Sequence, residues 1–279
     1  MQIRYFYETD CFHLNKKAEL YYPLPYRMAD LLRKVIRRKT NPSVMSPSYS
    51  PDINQKLIQK INEINSRIDW KQDLRKASYV VFDTETTGLQ PLKGDKITSI
   101  AGVIIENGEI KYDQYFDKLV DPQKPIPPTA SYITGITNEM VKGKEKLEQV
   151  LLQFLNFTEE RILIAHNAVF DITFLNIGLS QIAPVRIVNP VIDTYILSRY
   201  LLPDLIEYSL ENLASNFSIE VKERHTALGD SITTAKLFQN LLNILLEKNI
   251  TTLESLSDFL LYKRKMEQPF GTYEEMPHS

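Results

Sequence analysis

The sequence predicts an α/β fold: a mixed central sheet flanked by helices, preceded by a mainly helical N-terminal appendage. Three observations predict it. From Ser78 onward the runs "SYVVFD", "KITSIAGVII" and "EIKYDQYF" read as strands, the last two joined by the turn pair Asn107 and Gly108. After them helical and strand patterns alternate. Helical periodicity then dominates toward the C-terminus, which supports a sheet covered by helices.

The elements follow in order. Residues 24–39, "LPYRMADLLRKVIRRK", carry a short helical pattern with a cationic face, and 40–52, "TNPSVMSPSYSPD", hold three prolines among serines and read as a linker. A second amphipathic helix fills 53–69, "INQKLIQKINEINSRID", with Ile53, Leu57, Ile61 and Ile64 on one face, suited to cap the main domain or a partner. The three strands come next, then a proline-rich loop, "DPQKPIPP". "NEMVKGKEKLEQVLLQFLNF" reads as one helix, "RILIAH" as a buried strand, "FDITFLNIGL" as a helix and "NPVIDT" as a short strand. "SLENLASNF" and "GDSITTAKLFQNLLNILLEK" are helical, and the end, from "TTLESLSDFLLYKRKMEQ", reads as a helix followed by a polar, disordered tail. The expected boundaries are residues 1–76 for the appendage with its linker, 77–247 for the main domain and 248–279 for the C-terminal helix and tail.

Composition narrows the class. A chain of 279 residues that is 43% hydrophobic can bury a full core. Its formal charge of −2 gives no overall basic field, so a nucleic-acid partner must be held by a local patch or through bound metal ions. A single cysteine, Cys11, excludes an internal disulfide, and with four scattered histidines it cannot make a zinc site of the usual spacing. The first residues, "MQIRYFYETD", lack an apolar signal core and the longest apolar runs fall short of a membrane span, so a cytoplasmic protein with no membrane partner is expected.

The chemistry is carried by carboxylates. "YVVFDTETTGLQP" opens on residues that want burial and then places Asp83 and Glu85 two apart, on one face of a strand where the chain leaves the sheet. Asp171 follows the strand "RILIAH" in "HNAVFD", and Asp230 lies in "HTALGD" at the start of a late helix. Converging hard oxygen ligands suit Mg²⁺ or Mn²⁺, which share carboxylates with water and phosphate oxygens, and a phosphate ester becomes the natural substrate. His225 precedes Asp230 by five residues, about 140° around a continuous helix, which places it on the preceding loop. There an imidazole, with an ordinary pKa of roughly 6.5, can take a proton from an attacking water.

"VVFDTETTGL", "HNAVFDITFL" and "HTALGDSITTAKLF", in this order and spacing, resemble the three motifs of the DEDDh-type 3′ to 5′ exonucleases, a family that includes the epsilon-like proofreading domains of bacterial DNA polymerase III. "YITGITNEMV" and "NPVIDT" are similar too, so the resemblance spans roughly residues 77–245. It implies the ribonuclease H-like fold, two divalent ions (Mg²⁺ or Mn²⁺), Asp83, Glu85, Asp171 and Asp230 as metal-binding acids, and His225 as general base. It further implies that Thr87, Leu89, His166 and Phe170 lie near the terminal nucleotide and hold its base without reading it. The expected activity is hydrolysis of phosphodiester bonds at 3′ ends of single-stranded or frayed DNA, releasing nucleoside monophosphates, in proofreading or repair.

Two alternatives stand beside it: the same chemistry on RNA, since nothing in the motifs reads the sugar, and a non-catalytic nucleic-acid-binding or polymerase-associated subunit, against which the intact acid set argues. A proofreading role calls for a DNA polymerase or another replication or repair protein as partner, with the N-terminal appendage as docking surface. Some residues take blander readings. His166 divides between a structural histidine and a substrate contact. Asp193 reads as a strand-end or helix-capping residue. The run Arg33 to Lys39 reads as a solvated helix face, and "QVLLQF", faintly similar to sliding-clamp peptides, as helix core.

Overall fold

Alternation along β1 (Ser78–Thr86) sets the architecture, because its two faces are both buried. Val80 and Phe82 enter one apolar cluster, and Tyr79 and Val81 enter the other. β2 (Ile97–Glu106) pairs antiparallel with β1, and β3 (Glu109–Leu119) antiparallel with β2 through the Asn107–Gly108 turn. β4 (Ile162–Ala165) and β5 (Val191–Asp193) add on the other side as parallel strands, so the order is β3-β2-β1-β4-β5 in a mixed five-stranded sheet. Gly102 of β2 packs closely on β1: a Cβ there would stand 3.1 Å from the Val81 carbonyl oxygen.

The computed structural model describes residues 51–267. The helix expected over 24–39, the run Arg33 to Lys39 and the polar tail lie outside the described residues. α1 (Pro51–Arg67) begins two residues earlier than the apolar pattern indicated, inside the expected linker, because Pro51 is tolerated in a first helical turn. Its Leu57, Ile61 and Ile64 are buried in the first cluster, against α4 (Leu147–Thr158) and β1.

α2 (Pro128–Thr134) is additional to the expected elements. It starts on Pro128, whose missing N–H costs nothing there, and stops at Gly135 with φ 70°. The stretch "NEMVKGKEKLEQVLLQFLNF" is two helices, not one: α3 (Asn138–Val141) ends before Gly143, whose φ of 75° lies in the left-handed region, and α4 starts after it. Val150, Leu151, Phe154 and Leu155 of "QVLLQF" and its continuation are fully buried, the core reading expected for them.

α5 (Val169–Ile182) also packs on the first face. The opposite face is covered by α6 (Thr194–Leu201), α7 (Leu210–Asn216), α8 (Ala227–Glu247) and α9 (Leu253–Glu267). α8 lies close against the sheet at Ser231, whose Oγ donates to the Ala227 carbonyl at 2.6 Å and stands 3.3 Å from the Ala101 carbonyl of β2. α9 is tied to the segment before β1 by bonds from the Leu253 and Glu254 amides to the Gln72 and Trp70 carbonyls. No helix among the described residues is long and apolar enough to cross a membrane.

Candidate metal centre

The period-two rule separates the acids of β1 from their neighbours. Asp83 and Glu85 project from the same face as Val81, the face that α8 covers, whereas Thr84 projects to the α5 side. β1 changes register against β2 between Glu85 and Thr86, so regular pairing ends at the acids. On α8, Thr226 caps the helix by accepting from the Gly229 amide at 3.1 Å, and Asp230 lies in the first turn. One carboxylate oxygen from each of Asp83, Glu85 and Asp230 falls within 4.8 Å of the other two.

Asp171 is near this group but not in it. It sits in the first turn of α5 with 3% of its surface exposed, and one oxygen, Oδ1, accepts from the Thr84 amide at 3.0 Å and the Thr84 hydroxyl at 2.6 Å. The strand that presents two acids to one helix therefore holds a third acid from the helix behind it.

Four carboxyls this close cannot all ionise at ordinary cost. Burial, reinforced by the charges of Asp171, Glu85 and Asp230, raises the Asp83 carboxyl well above its usual range. Burial, then the charges of Asp230 and Asp171, push Glu85 up to about 8. Burial pushes Asp171 up to about 7 against the opposing Thr84 hydrogen bonds. Asp230 is raised by burial, while the Arg224 guanidinium works against the rise. The donor set fits a divalent cation: hard oxygens converge, their repulsion is opposed chiefly by Arg224, and Asp230 Oδ1 is buried with no hydrogen-bond partner among the described residues.

The remaining residues singled out in the sequence fall around this group. His225 lies on the loop before α8, as its spacing required, exposed and with φ 61°. His166 is held through Nδ1, 3.0 Å from the Thr194 hydroxyl, with its ring edge-on to Tyr195, and burial pushes its imidazole down to about 4. Thr87 is buried and its hydroxyl is engaged with Asp95 and the Lys96 amide. Leu89 is 78% exposed just past the acids, and Phe170 packs on Phe174 at 4.9 Å between ring centres. Asp193 caps α6: its Oδ1 accepts from the Tyr195 amide at 2.9 Å and also from the Asn167 amide at 3.0 Å, tying the β4 exit to the helix start.

Sequence reasoning passed over three residues. Thr84 holds Asp171. Arg224, next to His225, contacts Asp230 Oδ2 through Nη1 and Glu211 Oε1 through Nη2. Glu211, in the first turn of α7, is the far anchor of that bridge. Only the placement of an arginine beside the loop histidine signalled the last two, and a charged loop residue is ordinary on its own.

Comparison with known proteins gives the family. The model of the exonuclease family matches residues 80–238, more than half of the chain. A DNA polymerase III PolC-type protein of Halalkalibacterium halodurans is 40% identical over 182 residues, 65% of this chain and 12% of that protein. A DNA polymerase III subunit epsilon-like protein of Rhodobacter capsulatus is 42% identical over 181 residues, 64% of this chain and 26% of that protein. The chain thus spans about an eighth to a quarter of the length of these curated relatives. Among solved structures, exonuclease X in complex with 5′ overhanging duplex DNA superposes with a TM-score of 0.53 at 30% identity, covering 65% of this chain and 99% of that one. The expected ribonuclease H-like fold and the DEDDh-type resemblance are borne out, and the chain belongs to the exonuclease family.

Proposed function

We propose that this chain removes nucleotides one at a time from 3′ ends of DNA, single-stranded or frayed, as nucleoside monophosphates, in proofreading or repair. The observation that carries this reading is the convergence of Asp83, Glu85 and Asp230 on one point at the end of β1. These three would hold a pair of divalent ions, Mg²⁺ or Mn²⁺. Bound there, such ions supply Lewis-acid polarisation of a phosphodiester and a water of lowered pKa.

The protein's own groups do the rest. Asp171, fixed by Thr84, orients a water at the rear of the site rather than ligating directly. His225, exposed on its loop, receives the proton of the attacking water. Leu89 and Phe170 offer apolar surface to the terminal base, and Thr87 and His166 shape the backbone around it. Contacts of this kind grip any base, so little sequence preference follows.

DNA as substrate is supported by the DNA polymerase III relatives and by the overhanging duplex bound to exonuclease X. The same relatives support a DNA polymerase as partner. Residues 1–50 are the segment to test for docking, because α1 is part of the core and its removal would unfold the domain. The deciding assay compares matched DNA and RNA oligonucleotides labelled at the 3′ end, with Mg²⁺ or Mn²⁺. Faster release from DNA supports the proposal; faster release from RNA replaces DNA as substrate; binding of single strands with no release makes the chain a binding subunit.

A further inference from the structure

The Arg224 bridge is not built like a permanent ion pair. Its Nη1 and Nη2 are engaged by Asp230 and Glu211, yet among the described residues its buried Nε has no acceptor and the buried Asp230 Oδ1 has no hydrogen-bond partner. A guanidinium and a carboxylate in a settled pair would satisfy these atoms against each other in the two-pronged manner. Here each keeps one buried polar atom unpartnered, although they touch.

The surroundings explain why a cation is there. Arg224 contacts Asp230, one of the three carboxyls whose oxygens lie within 4.8 Å of one another, so its charge stands beside the whole cluster. A guanidinium does not deprotonate, so it can vacate the cluster only by moving. The geometry allows that. The Arg224 side chain is 27% exposed, it extends from a loop and not from a helix, and its second anchor, Glu211, is half exposed on a different helix. Gly229 lets that loop fold onto α8: a Cβ there would stand 2.2 Å from the Glu223 carbonyl oxygen.

We propose that Arg224 is a tethered counter-cation, occupying the Asp230 corner of the carboxylate cluster when no metal is bound and withdrawing to Glu211 when a divalent ion takes Asp230. Metal binding is then an exchange of one cation for another. Arg224 lowers the apparent affinity for metal, holds the acids together in its absence, and stands beside the site paired with Glu211 when metal is present. Glu211 sets the balance by favouring the withdrawn position. This rests on the reading of Asp83, Glu85 and Asp230 as metal ligands.

The test is Mn²⁺ binding by calorimetry to the full chain at pH 7.5, with thermal melts in EDTA and in saturating Mn²⁺, for the parent protein, Arg224→Gln and Glu211→Gln. Arg224→Gln should bind Mn²⁺ about 5- to 10-fold more tightly, within the usual range of coupling between sites. Its melting temperature should fall in EDTA and recover in Mn²⁺. Glu211→Gln, which keeps the arginine but removes its retreat, should bind Mn²⁺ several-fold more weakly. If the parent binds Mn²⁺ and Arg224→Gln binds it equally or more weakly, the exchange is refuted while the metal site stands. If the parent takes up no Mn²⁺, the metal-site reading falls and the exchange with it.

Discussion

Replacing Glu85 by glutamine should make the metal-free protein more stable at pH 8, and by less at pH 5. Glu85 has its carboxyl raised from 4.5 to about 8, chiefly by burial and then by Asp230 and Asp171. A group whose folded pKa is raised contributes stability below its unfolded value and loses that contribution as pH climbs to the folded one. For Glu85 the window runs from about 4.5 to about 8. At about 1.4 kcal/mol per pH unit, the full rise from 4.5 to about 8 sets a ceiling of about 5 kcal/mol. Partial exposure of the side chain and the neighbouring Arg224 charge bring the expected gain to about 1–2 kcal/mol. For a domain of this size that is about 3–6 °C in Tm. The assay is a pair of thermal melts in EDTA, at pH 8 and pH 5, for the parent and Glu85→Gln. A variant less stable than the parent at pH 8, or a gain of the same size at both pH values, refutes the reasoning.

Three other substitutions probe the supports of the site. Gly229→Ala would set a methyl 2.2 Å from the Glu223 carbonyl oxygen and 2.7 Å from that of Lys222, so it should displace the loop carrying Arg224 and His225 and cost about 1–3 kcal/mol by urea denaturation. Asp193→Ala removes the cap of α6 and the bond to the Asn167 amide; a loss of about 1–2 kcal/mol, read from the urea midpoint, is expected. Thr84→Val takes the 2.6 Å hydroxyl donor from the buried Asp171, so its carboxyl, now at about 7, should rise further. Because that bond favours the ionised form, the expected loss of about 1–3 kcal/mol should be larger at pH 8.5 than at pH 6 in EDTA melts.

What could be read from the sequence was what depends on local periodicity. The strands around Asp83 and Glu85 and their shared face followed from alternation alone, and the face proved to be the one that α8 covers. The angle to Asp230 puts His225 on a loop, and Asp193, read as a strand-end or helix-capping residue because it precedes a helical stretch, is the cap of α6. The break between α3 and α4 was hidden because apolar spacing continues through Gly143, and only its left-handed backbone interrupts the helix. The bond of Thr84 to Asp171 joins residues 87 apart in sequence and depends on how α5 meets β1, which no short window contains. Arg224 escaped notice for another reason: its role lies in a charge pattern assembled from β1, α7 and α8, and a lone loop arginine has no periodic signature.

The central claim is that Asp83, Glu85 and Asp230 together make a metal-dependent hydrolytic site at the end of β1. It is tested most directly by nucleotide release from a 3′-labelled single-stranded DNA in Mg²⁺ or Mn²⁺, for the parent protein and for Asp83→Ala purified in parallel. The account predicts stepwise release of mononucleotides by the parent, abolished by EDTA, and a fall of roughly 10³-fold or more in the variant, the scale expected when transition-state charge loses its stabilising group. Equal release by the two proteins would contradict it.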